Sequence, residues 1–563
     1  MANPNHNLYR YLLECNQGHM NDIALSTPNG RLVTYEELHD RVELYKKMLI
    51  AKGVRPGDKI GVCALNCPEA VFVIYALADL DVITIGLSPL AKKAEIQDDI
   101  AKTRPKMIVS VDMMYSNFKK SAKALDISTI LYSAADVIDD AKLRALYKGV
   151  NILKGNFILD KNSNLKYLEE LNYDDIVVPI ENFYKPGDLS DILFTGGSTG
   201  VHKGTALSAY GLNYVVEGMK ETFIPDAGMV ELGHIPLGHM AYGKMILHFA
   251  LCTNMNFALT LKAEPKDFYG ELVRTGAGGA VGGPPHWNSL IEKRGDIFVP
   301  RKDLVPGSLK NLHYANTGGE AQKAATYDAI CEALDYCGSD AVLGDGLGAT
   351  ETWAAMMANN GKCTVGTFGK PIKSLKVKLV DEKTNEIVER GKPGVLHVSG
   401  PQVMLEYYNN PEETSKVMYY DEDGTKWANI GDILQENEKG EYKYIGRIKR
   451  NFVCGIVNVY SEDLESIITS LPGVKEAVVI PIPDDELQFI PKAHISIEPN
   501  VDTNKLEKQL AAILVKNRDA SWIPRLYEYY YKPLERMANS KIDIMYYRDK
   551  DAEKINGAKV KKM

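Results

Sequence analysis

The sequence predicts an α/β protein with a large, multilayered N-terminal domain of parallel-rich sheets and a small α+β domain at its C-terminal end. At 563 residues the chain is too long for one hydrophobic core, so two or more domains are expected. Short β-branched segments alternate with segments whose apolar residues recur at helical spacing, which favours layered, largely parallel sheets. This alternation changes near residue 446, where we place the domain boundary.

The first part of the chain supplies the clearest elements. The segments KIGVCAL, VITIGL, KMIVSV and TILYS are predicted strands, and PEAVFVIYALAD and KKAEIQDDIAKT are predicted helices between them. The most apolar stretch, AVFVIYALADLDVITIGL, is interrupted by Asp79 and Asp81. We therefore predict a buried helix that runs into a strand, and no membrane span.

A glycine- and hydroxyl-rich loop follows the next predicted strand. DILFT (191–195) ends that strand, TGGSTGVHKG follows, and a helix is predicted from Ser208 with Leu212, Val215, Met219 and Phe223 on one face. Glycines let backbone N–H groups turn inward around an anion, and hydroxyls and a lysine add further donors. The spacing does not fit the Walker pattern. The alternative is a strand–turn–helix connection that merely needs flexible residues.

The pattern of the last hundred or so residues predicts a separate small α+β domain. SEDLESIITSLPGV predicts a helix capped at Ser461, with Glu462 and Asp463 in its first turn. EAVVIPI and KAHISIEP predict strands, and TNKLEKQLAAILVKN predicts a second amphipathic helix.

Composition limits the classes of function. The net charge of -8 argues against broad nucleic-acid binding, and the basic end KINGAKVKKM is most simply a solvated tail. The eight cysteines are scattered without a CxxC pair, which favours reduced thiols and excludes the usual zinc-ligand spacing. The start of the sequence does not resemble a signal peptide. We therefore expect a cytoplasmic protein without an integral membrane segment.

The loop and seven further motifs resemble, in order, those of the adenylate-forming superfamily, which includes acyl- and aryl-CoA ligases, peptide-synthetase adenylation domains and luciferases. The loop differs from the family pattern at His202, where proline is usual, and at Gly196, where serine is common. Leu347 replaces an aromatic residue and Ser540 replaces a glycine. Seven ordered motifs disfavour an unrelated α/β protein. The other motifs are HIPLGHMAYG (234–243), GGPPHW and NTGGEA, DGLGATET (345–352), NIGDIL, GRIKRNFVCGIVNVYSEDLE (446–465) and ANSKIDIMYYRD (538–549).

The resemblance implies an ATP site. Thr350 is expected at the α-phosphate and Glu351 on a Mg²⁺ ion, while Asp432 and Arg447 are expected to clamp the ribose. Asp345 is expected to reach the adenine amino group. The residues expected at the β- and γ-phosphates are Thr195, Gly196, Gly197, Ser198, Thr199, Gly200 and Lys203. Those expected along the adenine are Gly319, Glu320, Ala321, Gly346 and Leu347.

The resemblance also implies two moving parts. Lys541 is expected to bridge the attacking carboxylate and the α-phosphate, so we assign it as the main catalytic residue. Residues 1–446 are expected to hold the ATP and acyl sites, and residues 450–563 to form a mobile domain. Residues 447–449 form the expected hinge, with Lys449 at the hinge position.

An acyl pocket is expected beside the ATP site, with His239 as its gate. The segment PLGHMAYGKMILHF contains no acidic residue to pair with an ammonium group, so an α-amino acid substrate is disfavoured. Small and apolar residues favour a carboxylic acid with an apolar body, although core packing explains any one of them equally well. The other expected pocket residues are Met240, Tyr242, Gly243, Trp287, Gly318, Gly344 and Gly346.

These expectations favour an enzyme that makes an acyl-AMP from ATP and then an acyl thioester of coenzyme A. A stand-alone enzyme that loads the phosphopantetheine of a carrier protein is the first alternative, since it shares every motif above. A decayed, non-catalytic nucleotide-binding protein is the second. The retention of Lys203, Glu351, Asp432, Arg447 and Lys541 argues against decay.

Overall fold

The structure is a computed structural model of the chain. It describes residues 2–89, 91, 93–138, 140–153, 161–178, 184–196, 202–295, 297–319, 322, 324–454, 457–484, 487–536 and 542–551. Among these residues, none of the helices combines the length and the apolar character that a membrane crossing requires.

Two large sheets form the main part of the molecule. The first has nine described strands, and its six central strands run parallel because helices connect them, while the edge strands are antiparallel. In spatial order the strands are Lys370–Pro371, Met357–Ala358, Leu343–Leu347, Tyr314–Gly318, Gly279–Gly282, Val230–Gly233, Asn256–Leu259, Ile23–Ser26 and Leu32–Thr34.

The second large sheet has seven described strands, of which five are parallel. In spatial order they are Glu406–Tyr407, His202–Ser208, Leu189–Gly196, Ile83–Gly86, Lys59–Cys63, Met107–Val111 and Ser128–Tyr132. The first two of these strands are antiparallel to their neighbours.

The smaller sheets are mainly antiparallel. One contains Lys376–Val380, Pro393–Ser399, Lys426–Glu436 and Met418–Tyr420, with Tyr442–Arg447 also paired to Lys426–Glu436. A C-terminal sheet contains Val457–Tyr460, Asn451–Cys454, Gln488–Ile497 and Val474–Asp484, with Leu526–Tyr530 parallel to Gln488–Ile497. Ile291–Arg294 and Ile297–Pro300 form a two-stranded ribbon.

The α-helices pack on and between these sheets. Helices Pro68–Asp79 and Ala241–Cys252 are buried on nearly all sides, as their continuous apolar sequences predict. The remaining helices are Leu8–Cys15, Tyr35–Ala51, Lys93–Thr103, Tyr115–Ala124, Ala141–Leu153, Leu165–Glu169, Ala209–Met219, Pro265–Thr275, Pro284–Asn288, Ala324–Tyr336, Pro411–Val417, Ser461–Thr469 and Thr503–Asn517. The predicted α/β class with parallel-rich sheets is confirmed.

One strand was not predicted, and one helix cap was predicted wrongly. Helix Ala209–Met219 begins beside Ser208, as predicted, but strand His202–Ser208 returns antiparallel to Leu189–Gly196 before it. Ser461 does not cap its helix. Tyr460 holds the capping position, Ser461 is the first helical residue, and its buried hydroxyl has no hydrogen-bond partner in the described part of the chain.

The hydrophobic core divides into separate clusters. The largest includes residues from both large sheets, such as Phe257 and Ile85, together with the helices between them. A second cluster covers the other face of the nine-stranded sheet and contains Trp287. A third begins at Phe452, whereas the main cluster ends at Tyr442, so the chain changes core between these two residues.

Candidate active site

A β-hairpin presents the glycine-rich loop. Thr195 and Lys203 are register partners at the end of the hairpin, and Gly196 pairs with His202. The hairpin therefore holds the two ends of the loop side by side, and Lys203 lies at its outgoing end. The predicted phosphate-binding residues Gly197, Ser198, Thr199 and Gly200 lie outside the described residues.

Lys203 is already paired within the chain. Its Nζ forms an ion pair with Glu413 and lies 4.8 Å from the centre of the Tyr407 ring. The hydrogen bond from Lys203 lowers the pKa of Glu413 to about 2. Glu413 is fixed in the first turn of helix Pro411–Val417, whose cap Asn410 accepts its backbone N–H at 3.1 Å. The charged carboxylate of Glu413 therefore lies beside Lys203, at the end of the hairpin that carries the loop.

Thr350 and Glu351 lie in a single 3₁₀ turn, Thr350–Thr352, directly after strand Leu343–Leu347. The hydroxyl of Tyr407 donates to Oε1 of Glu351 at 2.8 Å. The backbone carbonyl of Glu351 accepts from the Met404 N–H, also at 2.8 Å. The turn is thus fixed to the segment that also carries the ring beside Lys203.

The backbone around this turn is strained. Trp353 and Ala354 have φ values of 52° and 61°, in the left-handed region that side chains disfavour. A Cβ atom at Gly348 would lie 1.8 Å from the carbonyl oxygen of Ala354, so the turn closes directly over a glycine. The buried Trp353 indole donates to the Ser208 carbonyl at 2.9 Å, which ties the turn to the hairpin.

Asp432 and Arg447 are brought together by register pairing of neighbouring strands. The Nε of Arg447 donates to Oδ1 of Asp432 at 2.8 Å. Asp432 is completely buried, whereas half of the Arg447 side chain is exposed. The second oxygen, Oδ2, has no hydrogen-bond partner among the described residues. Burial raises the pKa of Asp432, an effect that Arg447 opposes and Glu351 adds to.

Asp345 is a second buried carboxyl with an unused oxygen. Its Oδ1 lacks a partner among the described residues, and its Oδ2 accepts a long 3.4 Å contact from the Gln322 N–H. Burial raises the pKa of Asp345 to about 7. Gly319 follows strand Tyr314–Gly318 with a φ of 83°, a conformation that favours glycine. Glu320 and Ala321 lie outside the described residues.

The glycines predicted to line a pocket have two different environments. Gly318 and Gly346 are register partners, and a Cβ atom at Gly346 would meet only ordinary contacts at 3.6 Å. A Cβ atom at Gly344 would lie 1.8 Å from the Asn359 carbonyl oxygen. Close backbone approach therefore explains Gly344, while Gly346 leaves room beside Leu347, which packs on the main core.

His239 and its neighbours lie at the start of helix Ala241–Cys252. Burial lowers the pKa of His239 to about 4, so the imidazole is neutral, and its buried Nδ1 has no partner in the described chain. Met240 is 39% exposed. Gly243 packs against the Pro236 carbonyl, where a Cβ atom would lie 2.1 Å away. The Tyr242 hydroxyl covers Gly318, at 2.9 Å from the position of its absent Cβ.

Trp287 lies in the second core cluster. It is completely buried, its ring packs edge-on against Phe268, and its indole N–H donates to the Asn316 carbonyl at 2.8 Å. These contacts account for Trp287 as a core residue, and its role in a pocket stays a prediction.

The predicted hinge lies in a short 3₁₀ turn, Ile448–Arg450, which contains the backbone of Lys449. Arg450 pairs with Glu462 at 3.2 Å and with Glu465, both on helix Ser461–Thr469. Burial raises the pKa of Glu465 to about 7, although Arg450 opposes the shift. Lys541 lies outside the described residues.

Tyr407 and Glu413 belong to none of the predicted motifs. Both lie in LEYYNNPEET, and together they join Lys203 to Glu351. One signal was available. Asn410, Pro411 and two following acids form a helix-start pattern, which would have placed Glu413 in a first turn.

Glu351 is the residue of this candidate site that is best suited to hold a metal ion. Glu351 uses Oε1 for the Tyr407 hydroxyl, and no hydrogen bond to its Oε2 occurs among the described residues. A carboxylate oxygen of this kind suits Mg²⁺. The cluster of His494, Glu528 and Asp551 is a poorer candidate, because Lys492 lies 2.5 Å from Asp551 and 3.2 Å from Glu528.

The site combines the cationic side chain of Lys203, the carboxylate of Glu351 and the buried acceptor oxygen of Asp432. Lys203 and Glu351 contact the same tyrosine, and Asp432 lies within the electrostatic range of Glu351. A molecule that carries phosphates at one end and vicinal hydroxyls at the other would match these groups.

Two bacterial proteins match most of the chain. The long-chain-fatty-acid–CoA ligase of Escherichia coli O6:H1 is 23% identical over 517 residues, which cover 89% of this chain and 87% of that protein. The long-chain-fatty-acid–CoA ligase of Bacillus subtilis (strain 168) is 22% identical over 547 residues, which cover 96% of this chain and 93% of that protein.

A solved structure matches the fold. The ATP-bound crystal structure of MatB from Rhodopseudomonas palustris superposes with a TM-score of 0.79 and 20% identity, covering 97% of this chain and 99% of that one. The family model described as AMP-binding enzyme matches residues 12–408. The predicted family and the predicted class of enzyme, an AMP-forming acid–thiol ligase, are confirmed. The chain belongs to the AMP-binding enzyme family.

Proposed function

We propose that this protein activates a hydrophobic or aromatic carboxylic acid with ATP, releases pyrophosphate, and transfers the acyl group from AMP to coenzyme A. The observation that best supports this function is the joint contact of Tyr407 with Lys203 and Glu351, beside the buried Asp432. That arrangement offers complementary groups to the phosphates and the ribose of one nucleotide.

The chemistry explains why these groups are needed. A carboxylate is a poor electrophile, and conversion to an acyl-AMP gives it a good leaving group. The carboxylate must meet the α-phosphorus in line with the departing pyrophosphate, so positioning and charge neutralisation supply most of the catalysis.

The roles of individual residues follow. Lys203 and the loop from Thr195 to Gly200 would hold the β- and γ-phosphates, with Thr350 at the α-phosphate. Oδ2 of Asp432, which lacks a partner among the described residues, would accept a ribose hydroxyl. Glu351 is the residue that would hold Mg²⁺, which supplies positive charge to the phosphate oxygens when bound.

Asp345, with Gly319, Glu320 and Ala321, would line the adenine. The acid would enter past the neutral His239, between Tyr242, Gly318 and Gly346. Aryl, medium-chain and longer acyl groups all suit such a pocket.

We also propose that residues 1–446 and 450–563 move relative to each other about residues 447–449. The change of core between Tyr442 and Phe452 supports this division. Lys541, which belongs to residues 450–563, would take part in adenylation. A rotation of residues 450–563 near Lys449 would then turn a different face of that domain toward the active site for thioester formation. A cytoplasmic location remains part of the proposal.

The testing experiment is a mass-spectrometric assay with ATP, Mg²⁺ and a panel of alkyl and aryl acids, with and without coenzyme A. A thioester together with AMP is the expected result. Acyl-AMP that accumulates with or without coenzyme A would indicate a carrier-protein acceptor instead. Absence of AMP with every acid, despite ATP binding, would refute catalysis by this site.

A variant tests the assignment of Lys541. Lys541→Ala should lose adenylate formation by about 10²–10³-fold, because one preorganised charge is removed from the reacting phosphate. It should still convert a supplied acyl-AMP into the thioester. Adenylation at the normal rate would show that Lys541 has a different role.

A further inference from the structure

Glu231 is a buried acid that the proposed mechanism does not use. It lies in strand Val230–Gly233 in the middle of the nine-stranded sheet and is 7% exposed. Its Oε1 has no hydrogen-bond partner among the residues that the structure describes. Burial raises its pKa to about 8, so the carboxyl group is mainly protonated at neutral pH.

The sheet makes room for this side chain. Glu231 is paired with Phe257 on one side and Gly279 on the other. A Cβ atom at Gly279 would lie 2.2 Å from Oε2 of Glu231 and 3.6 Å from Cε of Met255. A larger residue at position 279 would therefore displace the carboxyl group, which lies over the glycine near Met255.

Glu231 faces the same side of the sheet as the proposed acyl pocket. Cross-strand partners share a face, so Glu231, Gly279 and Tyr314 form one row. Gly318 lies four residues further along the strand of Tyr314, on that same face. The rise of about 3.3 Å per residue places the Gly318 row about 13 Å from the Glu231 row. Tyr242 approaches both, since its hydroxyl covers Gly318 and it interacts electrostatically with Glu231.

We propose that Glu231 forms the inner end of the acyl pocket and selects acids that carry a hydrogen-bonding oxygen at the end remote from the carboxylate. This inference rests on the proposed function, because it assumes that the acid lies over Gly318 and Gly346, on the side of the sheet that Tyr242 covers. A protonated carboxyl group donates one hydrogen bond and accepts others. A hydroxyl group at the far end of the substrate would satisfy both, whereas a methyl group would leave a buried polar group without a partner.

The substrate length follows from the row spacing. Single bonds of about 1.5 Å in a zigzag chain cover the distance between the two rows with roughly ten carbons. The matched probes are therefore decanoic acid and ω-hydroxydecanoic acid, which differ only at the far end.

The experiment measures kcat/KM for AMP formation with both acids, in the wild type and in Glu231→Gln and Glu231→Leu. The wild type should prefer the hydroxy acid by about tenfold or more, since a pocket built to hydrogen-bond a hydroxyl rejects the analogue that lacks it. Glu231→Gln keeps hydrogen-bonding groups and should keep the preference. Glu231→Leu should reverse it, mainly through the KM of the acid, with an unchanged KM for ATP.

The outcomes separate this inference from the proposed function. Equal use of the two acids by the wild type would overturn the role of Glu231 and leave the ligase function intact. So would a preference that survives in Glu231→Leu, or AMP formation with short aryl acids alone. If no acid on the panel gives AMP, the proposed function fails, and the inference fails with it.

Discussion

Substitution of Asp432 tests the ribose clamp most directly. Asp432→Asn keeps the shape of the side chain and one acceptor oxygen but removes the charge and the second acceptor. A hydrogen bond to a charged group contributes about 1.5–3 kcal/mol. Because each 1.4 kcal/mol is about tenfold in affinity, the KM for ATP should rise roughly 10- to 100-fold.

The stability of the variant should change much less. Asp432 is completely buried and its Oδ2 has no described partner, so the native carboxylate is not fully compensated. Arg447 is 51% exposed and can be hydrated when its partner is replaced. The expected change in the free energy of unfolding is below about 1 kcal/mol, as for partly exposed ion pairs.

The assay is pyrophosphate release at varied ATP and saturating acid, together with thermal unfolding. Glu436→Gln is the matched control, because Glu436 lies on the same strand and pairs with Arg390 at 3.0 Å. It should leave the KM for ATP unchanged. An unaltered KM for ATP in Asp432→Asn would refute the ribose assignment. A large loss of stability would instead show that the pair with Arg447 is mainly structural.

Three further substitutions follow from the same site and from the buried acid. Tyr407→Phe removes the hydroxyl that orients the Glu351 carboxylate. The Mg²⁺ concentration for half-maximal activity should therefore rise about 3- to 10-fold, with an unchanged KM for the acid. Glu413→Gln removes the anion that neutralises Lys203, so the KM for ATP should fall about threefold; a rise would mean that Glu413 positions the lysine. The contribution of Glu231 to the free energy of unfolding should decline between about pH 4 and pH 8, because unfolded Glu231 releases its proton first. Glu231→Gln should gain on the wild type by about 1.4 kcal/mol per pH unit in that window, as followed by thermal unfolding; a constant difference would contradict the raised pKa.

Much of the fold followed from the sequence because its strands and helices obey simple periodicities. KIGVCAL and PEAVFVIYALAD became Lys59–Cys63 and Pro68–Asp79. The strand His202–Ser208 was missed because its HKGTALS sequence reads as the end of a loop. Its strand character comes from pairing on both sides, with Leu189–Gly196 and Glu406–Tyr407, which no local pattern reveals.

The site divides in the same way. Motifs with fixed spacing pointed to Asp432 and Arg447, and the structure places them in contact. Tyr407 and Glu413 could not be found by spacing, since they reach Glu351 and Lys203 across 56 and 210 positions of chain. Glu231 was overlooked for a different reason. One acid in an apolar strand looks like an edge residue until the strand order shows it in the middle of the sheet.

The closed turn after strand Leu343–Leu347 determines which neighbouring positions tolerate substitution. Gly348 lies against the Ala354 carbonyl and admits no side chain, so mutation there would be eliminated. Leu347, one residue earlier, is only partly buried against the main apolar cluster, so a change of side chain there disturbs fewer contacts than one inside the core. An aromatic residue could thus be lost at position 347 during descent without disturbing the turn that carries Glu351. The departure at Leu347 is then a neutral exchange for the fold, and selection acts on it only through the nucleotide.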